Sequence, residues 1–195
     1  MAETALGKSD DTADRLNKLF LTIISRYSEY IEEHENLSVA ELPTLITPKN
    51  GAIITKADEI KSHFGTYKYD KDFNNASIKA FDFVKENVTE VVLPLQFWLV
   101  PEETLAFMMG DAFDRNVLLC TMLIALGNPS AKVLVAMKGD SRKIFVYYEH
   151  QCFVLFDIND GTKQFKTKEE LLESLRIGDE TTAYEFNDNV YTNII

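Results

Sequence analysis

The chain has 195 residues, of which 46% are hydrophobic and 11% aromatic, so it can bury the core of one medium-sized domain. Its 31 acidic and 20 basic residues give a formal net charge of −11, which repels nucleic-acid phosphates, and no localised run of basic residues offsets that charge. The apolar runs are far shorter than the roughly 20 residues that cross a bilayer. We therefore expect neither a nucleic-acid nor a membrane partner.

The first predicted element is an amphipathic helix over residues 11–35. Its apolar residues recur at helical spacing and form one stripe: Leu16, Leu19, Phe20, Ile23, Ile24, Tyr27, Tyr30 and Ile31. Packing on the rest of the chain is the simpler role for this stripe. Self-association or docking in the groove of a partner is the alternative.

A loop with two prolines and a glycine, residues 43–51, separates this helix from the rest of the chain. We take it as the boundary between an N-terminal helix with its linker, residues 1–50, and a main domain, residues 51–195. A helix is predicted to start near Thr55, which has capping chemistry and a carboxylate three residues later. Another helix is predicted over residues 75–88.

The most informative segment runs from Trp98 to Gly127. It reads W-L-V-P-E-E-T-L, then G-D-A-F-D, then an apolar helix that ends in A-L-G. The helix starts at Ala112, and an exposed helix N-terminus stabilises a thiolate or an oxyanion through its free N–H groups and its dipole. Cysteine nucleophiles are found at such positions, but this chain has an alanine there.

Three short runs rich in β-forming residues come after this helix, with turn signals between them: residues 131–137, 143–149 and 152–157. Runs of this length with tight connections predict an antiparallel sheet, so the expected class is α+β, with the Ala112 helix packed on the sheet. A short helix is predicted over residues 167–175. The tail, residues 182–195, alternates weakly and predicts an edge strand.

In order and spacing, these motifs resemble the transglutaminase-like superfamily, whose members share a papain-like Cys-His-Asp core. The family pattern is W-x-x-P-E-E-T-L, G-D-C-x-D and a helix ending in A-L-G. A strand comes next, then a strand that opens with the catalytic histidine and a strand that ends in the aspartate. The resemblance covers roughly residues 75–160. It implies a papain-like α+β core, with extra helices at the N-terminus.

The resemblance assigns the three catalytic positions of the family to Ala112 (nucleophile), Lys143 (base) and Asp157 (orienting carboxylate). A shift of one residue would place the base at Arg142, which is not a histidine either. Lysine has a reference pKa of about 10.4 and is therefore a poor replacement for an imidazole base. We expect the three positions to converge, with an ion pair between Lys143 and Asp157.

The resemblance also implies that residues just upstream of the nucleophile line the cleft. Gln96 and Trp98 are candidates for this role, although a tryptophan here is equally expected to cover the edge of the core. Asp111 flanks the nucleophile position. Together with Asp114 it is most simply explained as the cap of the helix, with a carboxylate that matches the helix dipole.

The two cysteines do not offer a replacement nucleophile in the sequence. Cys120 lies about 12 Å along the helix from Ala112 and has the pattern of a core residue. Cys152 and His150 flank a hairpin end, where a catalytic pair is not expected. The three histidines and two cysteines have no metal-binding spacing, so we predict no metal or cofactor. Few cysteines and no signal peptide predict a reducing, cytoplasmic location.

Three functions are compatible with these observations. The first is a catalytically inactive transglutaminase-like domain that binds a protein or peptide. The second is a cysteine protease, a transglutaminase or a related amide-acting enzyme whose nucleophile has been replaced by Ala112. The third is an enzyme of unrelated chemistry that uses Lys143 and Asp157. The sequence leaves the oligomeric state open.

Overall fold

The computed structural model describes residues 6–34, 39–92, 98–139, 141–177 and 181–194. The chain divides into two compact units, residues 1–38 and 39–195. The first unit contains helix α1 (Leu6–His34), which starts before the predicted residue 11. No helix in the described ranges combines the length and the hydropathy needed to cross a bilayer. A domain boundary at residue 50 stays a prediction, because compactness does not show independent folding.

The second unit opens with a 3-10 helix, Val39–Leu45. Helix α2 (Gly51–Ser62) comes next and starts before Thr55, the residue predicted to cap it. The side chain of Asn50 caps α2, because its Oδ1 accepts a hydrogen bond from the N–H of Ala52 at 2.9 Å. The hydroxyl of Thr55 instead donates to the carbonyl of Gly51 inside the first turn.

Helix α3 (Tyr69–Asn87) also starts earlier than predicted. Its first turn contains Asp70 and Asp72, and the carboxylate of Asp72 accepts the N–H of Lys68 at 2.8 Å. A short parallel pair, β1 (Thr89–Glu90) with β2 (Met109–Gly110), brackets the next helix.

Helix α4 (Pro101–Phe107) contains the P-E-E-T-L motif and starts with its proline, as helices often do. Helix α5 (Ala112–Ala125) starts at the predicted residue and is buried over residues 113–123. It packs against α2, α3 and α4 and against the sheet.

The sheet has six antiparallel strands in the order β6-β5-β4-β3-β7-β8. They are β3 (Lys132–Lys138), β4 (Ser141–His150), β5 (Cys152–Asp157), β6 (Gly161–Phe165), β7 (Thr182–Phe186) and β8 (Tyr191–Asn193). Helix α6 (Lys168–Ser174) lies between β6 and β7 in sequence and contacts β5 and β6. The predicted α+β class, with a helix on an antiparallel sheet, is confirmed. The tail contributes two strands, and β7 lies inside the sheet beside β3.

The two faces of the sheet belong to two separate hydrophobic clusters. The face toward α5 contributes Val133, Val146, Tyr148, Phe156 and Phe186 to the main core. The opposite face contributes Leu134, Phe145, Tyr147 and Leu155 to a smaller cluster that includes Leu171 of α6. Neighbouring residues of a strand therefore take part in different cores, as expected for a sheet covered on both sides.

Candidate functional site

A pair of carboxylates holds the N-terminus of α5. Asp111 Oδ1 accepts hydrogen bonds from the N–H groups of Phe113 at 2.7 Å and Asp114 at 2.9 Å. In return, Asp114 Oδ2 accepts the N–H of Asp111 at 2.9 Å. Asp114 Oδ1 also accepts the N–H of Leu99 at 2.9 Å, which ties the segment before α4 to the start of α5. These bonds fix Ala112 as the first residue of the helix.

Asp114 is fully buried, although it ends a charged motif. Burial raises the pKa of its carboxyl to about 8, and the charge of Asp111 acts in the same direction. The backbone N–H groups of Asp111 and Leu99 oppose this shift, because they favour the charged carboxylate. The packing here leaves no spare room, since a Cβ at Gly110 would lie 2.8 Å from the Cβ of Asp114.

A cavity of about 380 Å³ opens beside this helix start. Its lining includes Ala112, Arg115 and Asn116 of α5, Arg142 and Lys143 of β4, and Asp157 at the end of β5. The three positions assigned by resemblance, Ala112, Lys143 and Asp157, thus border one cavity. Their roles in a catalytic arrangement stay a prediction.

The strand faces distinguish Arg142 from Lys143. Ile144 packs on the α5 side of the sheet, and neighbouring residues of a strand point to opposite faces. Lys143 therefore lies on the face opposite to α5, together with Phe145. Arg142 shares the α5 face, and its guanidinium carbon lies 5.9 Å from the ring centroid of Phe113. Of the two candidate base positions, Arg142 is therefore the one that faces the helix start.

The expected ion pair between Lys143 and Asp157 is not formed. Asp157 Oδ1 instead accepts the N–H groups of Asn159 at 2.9 Å and Asp160 at 3.2 Å, and it caps the turn that leads to β6. No ion pair within the described ranges joins Asp157 to Lys143, whose side chain is exposed. A carboxylate that ends a strand and precedes an Asn-Asp turn finds its partners locally.

Of the predicted cleft-lining residues, Trp98 and Asp111 do not border the cavity. Gln96 lies outside the described residues. The ring of Trp98 packs against that of Phe113, with centroids 5.1 Å apart, and covers the edge of the main core. Asp111 acts as the helix cap described above.

Two buried polar residues of the cavity wall were not predicted from the sequence. Arg115 Nη1 donates to Glu90 Oε2 at 2.6 Å, which links α5 to β1. Asn116 Nδ2 donates to the carbonyl of Ala112 at 2.7 Å. Arg115 Nε and Asn116 Oδ1 have no hydrogen-bond partner among the described residues. The sequence signal for them is the polar run Asp114-Arg115-Asn116 near the start of a mostly apolar helix.

Neither cysteine presents a reactive thiol at the cavity. Burial raises the pKa of the Cys120 thiol, and the thiol lies in the main core. Cys152 pairs with His150 across the β4–β5 hairpin, and the imidazole of His150 lies against the rings of Tyr69 and Phe73 at 4.9 and 5.4 Å. The described side chains contain no group of three or more histidine, cysteine or acidic residues that could hold a metal.

No family model and no curated protein sequence matches the chain. Among solved structures, EGTA-treated LapG of Legionella pneumophila is similar, with a TM-score of 0.51 and 15% identity over 78% of this chain and 83% of that chain. A second LapG structure has a TM-score of 0.43 and 14% identity over 71% of this chain and 87% of that chain. LapG has a transglutaminase-like fold, and the first of these similarities shows that this chain has the same fold.

Proposed function

We propose that the chain is a catalytically inactive transglutaminase-like domain that acts by binding a protein or peptide segment. The observation that supports this most directly is the cavity at the start of α5, where a methyl group occupies the position of a nucleophile. Among the described residues that line the cavity, none is a cysteine or a histidine.

The chemistry of the wall argues against acyl transfer. Loss of the nucleophile alone lowers turnover by about 10⁶ in a well-studied triad hydrolase. A guanidinium has hydrogen-bond donors and no acceptor, so Arg142, which faces the helix start, cannot act as a general base. The remaining thiols are either buried in the core or at a hairpin end, so they do not replace the missing group.

Binding does not need the lost groups. The cavity volume of about 380 Å³ falls within the usual range of roughly 300–1,000 Å³ for ligand sites. Its wall combines the aliphatic Ile144 with the polar side chains of Arg115, Asn116 and Arg142. Such a wall suits an extended segment that offers backbone carbonyls to the cations and an apolar side chain to the interior.

An array of immobilised peptides tests the binding role. We expect the protein to bind a subset of peptides and Ala112→Trp to lose them, because the indole fills the cavity. Ala52→Trp is the matched control, since Ala52 lies exposed in the first turn of α2. Equal binding by both variants would show that the cavity is not the binding site.

The alternative is a cysteine-dependent enzyme whose nucleophile has been replaced. The intact cap of α5 and the open cavity favour it over any unrelated chemistry. The third candidate, an enzyme that uses Lys143, has less support because the side chain of Lys143 is exposed and not desolvated.

A thiol-reactive probe and an amide-hydrolysis assay separate these functions. We expect no turnover by the protein itself and stronger probe labelling of Ala112→Cys/Arg142→His than of Ala112→Cys/Lys143→His, since only residue 142 faces α5. Turnover by the unmodified protein that stops on alkylation of Cys120 or Cys152 would refute inactivity. Full activity of Ala112→Cys alone would establish the alternative.

A further inference from the structure

A second and larger cavity lies on the face of the sheet opposite to α5. Its volume is about 1060 Å³, and it lies where β4, β5 and β6 meet the C-terminal end of α6. Phe145 and Leu155 form an apolar floor, and Leu175 contributes from the end of α6. Four residues border both this cavity and the smaller one at α5: Lys143, Phe145, Asp157 and Asp160.

The rim of this second cavity is rich in cations, although the chain has a formal net charge of −11. Its described lining contains four basic residues, Lys138, Lys143, Lys163 and Arg176, and two acidic ones, Asp157 and Asp160. Lys143, Lys163 and Arg176 are exposed, and none of these three forms an ion pair with another described residue. One of the two carboxylates, that of Asp157, is already used in capping a turn.

The free edge of the sheet adjoins the same cavity. Strand β6 pairs with β5, and no described strand pairs with its outer side. Lys163 lies opposite Leu155 in the register, so its side chain belongs to the face with the cavity. An extended chain that pairs with β6 would place every second side chain on the cavity face, beside Lys163.

We propose that this cavity is a second binding site, which takes an acidic extended segment of a partner protein with an apolar side chain between its carboxylates. The backbone pairs with β6, acidic residues on the cavity face pair with Lys163 and Arg176, and the apolar side chain points across β6 toward Leu155 of β5. Charge complementarity selects the partner, because an acidic protein attracts an acidic segment only where its own cations are gathered. Lys163 and Arg176 distinguish this site from the α5 cavity, because neither of them borders the α5 cavity.

The test is fluorescence anisotropy with a fluorescein-labelled peptide of four glutamates around a central leucine. We expect saturable binding that weakens with added salt, and affinity about tenfold lower for Lys163→Glu and for Arg176→Glu, since each puts a like charge beside the glutamates. Lys79→Glu makes the same charge change at an exposed position of α3 and should leave the affinity within about twofold. Replacing the leucine by serine should weaken binding, and replacing the glutamates by lysines should abolish it.

Circular dichroism of each variant checks that a loss of affinity does not result from a loss of folded structure. A peptide methylated on alternate backbone nitrogens should bind more weakly, because it cannot pair with β6. Ala112→Trp, which fills the other cavity, should bind the probe normally, so failure of the α5 site and failure of this site are distinguishable. Any of four results would overturn the proposal. They are no binding of the peptide, equal losses of affinity in Lys163→Glu and Lys79→Glu, unchanged binding of the methylated peptide, and displacement of the peptide by millimolar inorganic phosphate.

Discussion

At the scale of single residues, the start of α5 depends on the absence of a side chain at Gly110. A Cβ there would lie 2.8 Å from Asp114 Cβ and 3.3 Å from Thr104 Cγ2. We predict that Gly110→Ala lowers the free energy of unfolding by about 1–3 kcal/mol, the usual cost of overpacking. Gly51→Ala is the control, since a Cβ at that position would have no atom within 4 Å. Urea unfolding measures both, and equal stability of the two variants would contradict the prediction.

The buried carboxyl of Asp114 makes stability depend on pH in a defined direction. Its folded-state pKa of about 8 exceeds the unfolded reference of about 3.9, so the folded state binds the proton more tightly. The stability that this proton binding adds to the folded state is therefore fully present at pH values below the unfolded pKa, and it is lost as the pH rises through about 8. We predict that urea unfolding at a series of pH values shows stability falling from pH 5 to pH 9.

Asp114→Asn removes this titration and is expected to flatten the pH dependence between those values. The variant is also expected to be less stable over this whole pH range. Its amide NH₂ group would face a backbone N–H group whose hydrogen bond the carboxylate accepts in the unmodified protein. An unchanged slope in the variant would mean that another group causes the pH dependence.

At the scale of secondary-structure elements, one carboxylate joins three strands and a helix. Glu185 of β7 is only 1% exposed. It accepts hydrogen bonds from Lys132 Nζ of β3 and the Tyr147 hydroxyl of β4, both at 2.6 Å, and forms an ion pair with Lys168 Nζ of α6 at 2.7 Å. Burial alone would raise the pKa of Glu185, but its bonds to Lys132, Lys168 and Tyr147 outweigh burial and lower it.

We predict that Glu185→Ala lowers the free energy of unfolding by about 3–5 kcal/mol at neutral pH, because it leaves two cations and a buried hydroxyl without their acceptor. Because folding lowers the pKa of Glu185, its carboxylate stabilises the folded state at pH values above the unfolded-state pKa. This stabilisation disappears as the pH falls through the folded-state pKa. Glu149→Ala, at an exposed position of β4, should change stability by less than about 0.5 kcal/mol. Chemical denaturation at neutral and acidic pH measures both variants, and similar losses would contradict this assignment.

The elements themselves can be predicted in part from the sequence. The start of α5 and the next three strands are predictable because their apolar runs are bounded by strong turn and capping residues. The predicted cap of α2 is wrong by five residues, Thr55 in place of Asn50, because both side chains are capable caps. The earlier start is favoured by burial, since it places Ile53 in the main core. The position of β7 inside the sheet is not predictable in this way, since pairing with β3 is a long-range contact.

At the scale of the whole molecule, the 3-10 helix before α2 belongs to the core of the second unit. Leu42 and Ile46 are 1% and 4% exposed and pack in the main cluster. We predict that a fragment of residues 51–195 is less stable than a fragment of residues 39–195 by about 2–5 kcal/mol, because it lacks both side chains. Urea unfolding of the two fragments measures the difference. Equal stability would support residue 50 as the boundary of the domain.

The sequence alone determined the chemistry that the α5 cavity lacks. Residue 112 is an alanine and the start of β4 has no histidine in any fold, because folding does not change the identity of a side chain. The sequence also identified the helix start that carries Ala112, since its capping carboxylates are local in the chain.

Only the tertiary structure decided which base position faces that helix. A strand alternates faces at every residue, so a shift of one position exchanges Arg142 for Lys143, and motif spacing does not resolve such a shift. The tertiary structure also gathered Lys143, Lys163 and Arg176 around one cavity, although they form no basic run in the sequence. The register of β4, β5 and β6 and the packing of α6 on β5 and β6 bring these side chains together, and the spacing of the residues in the sequence fixes neither.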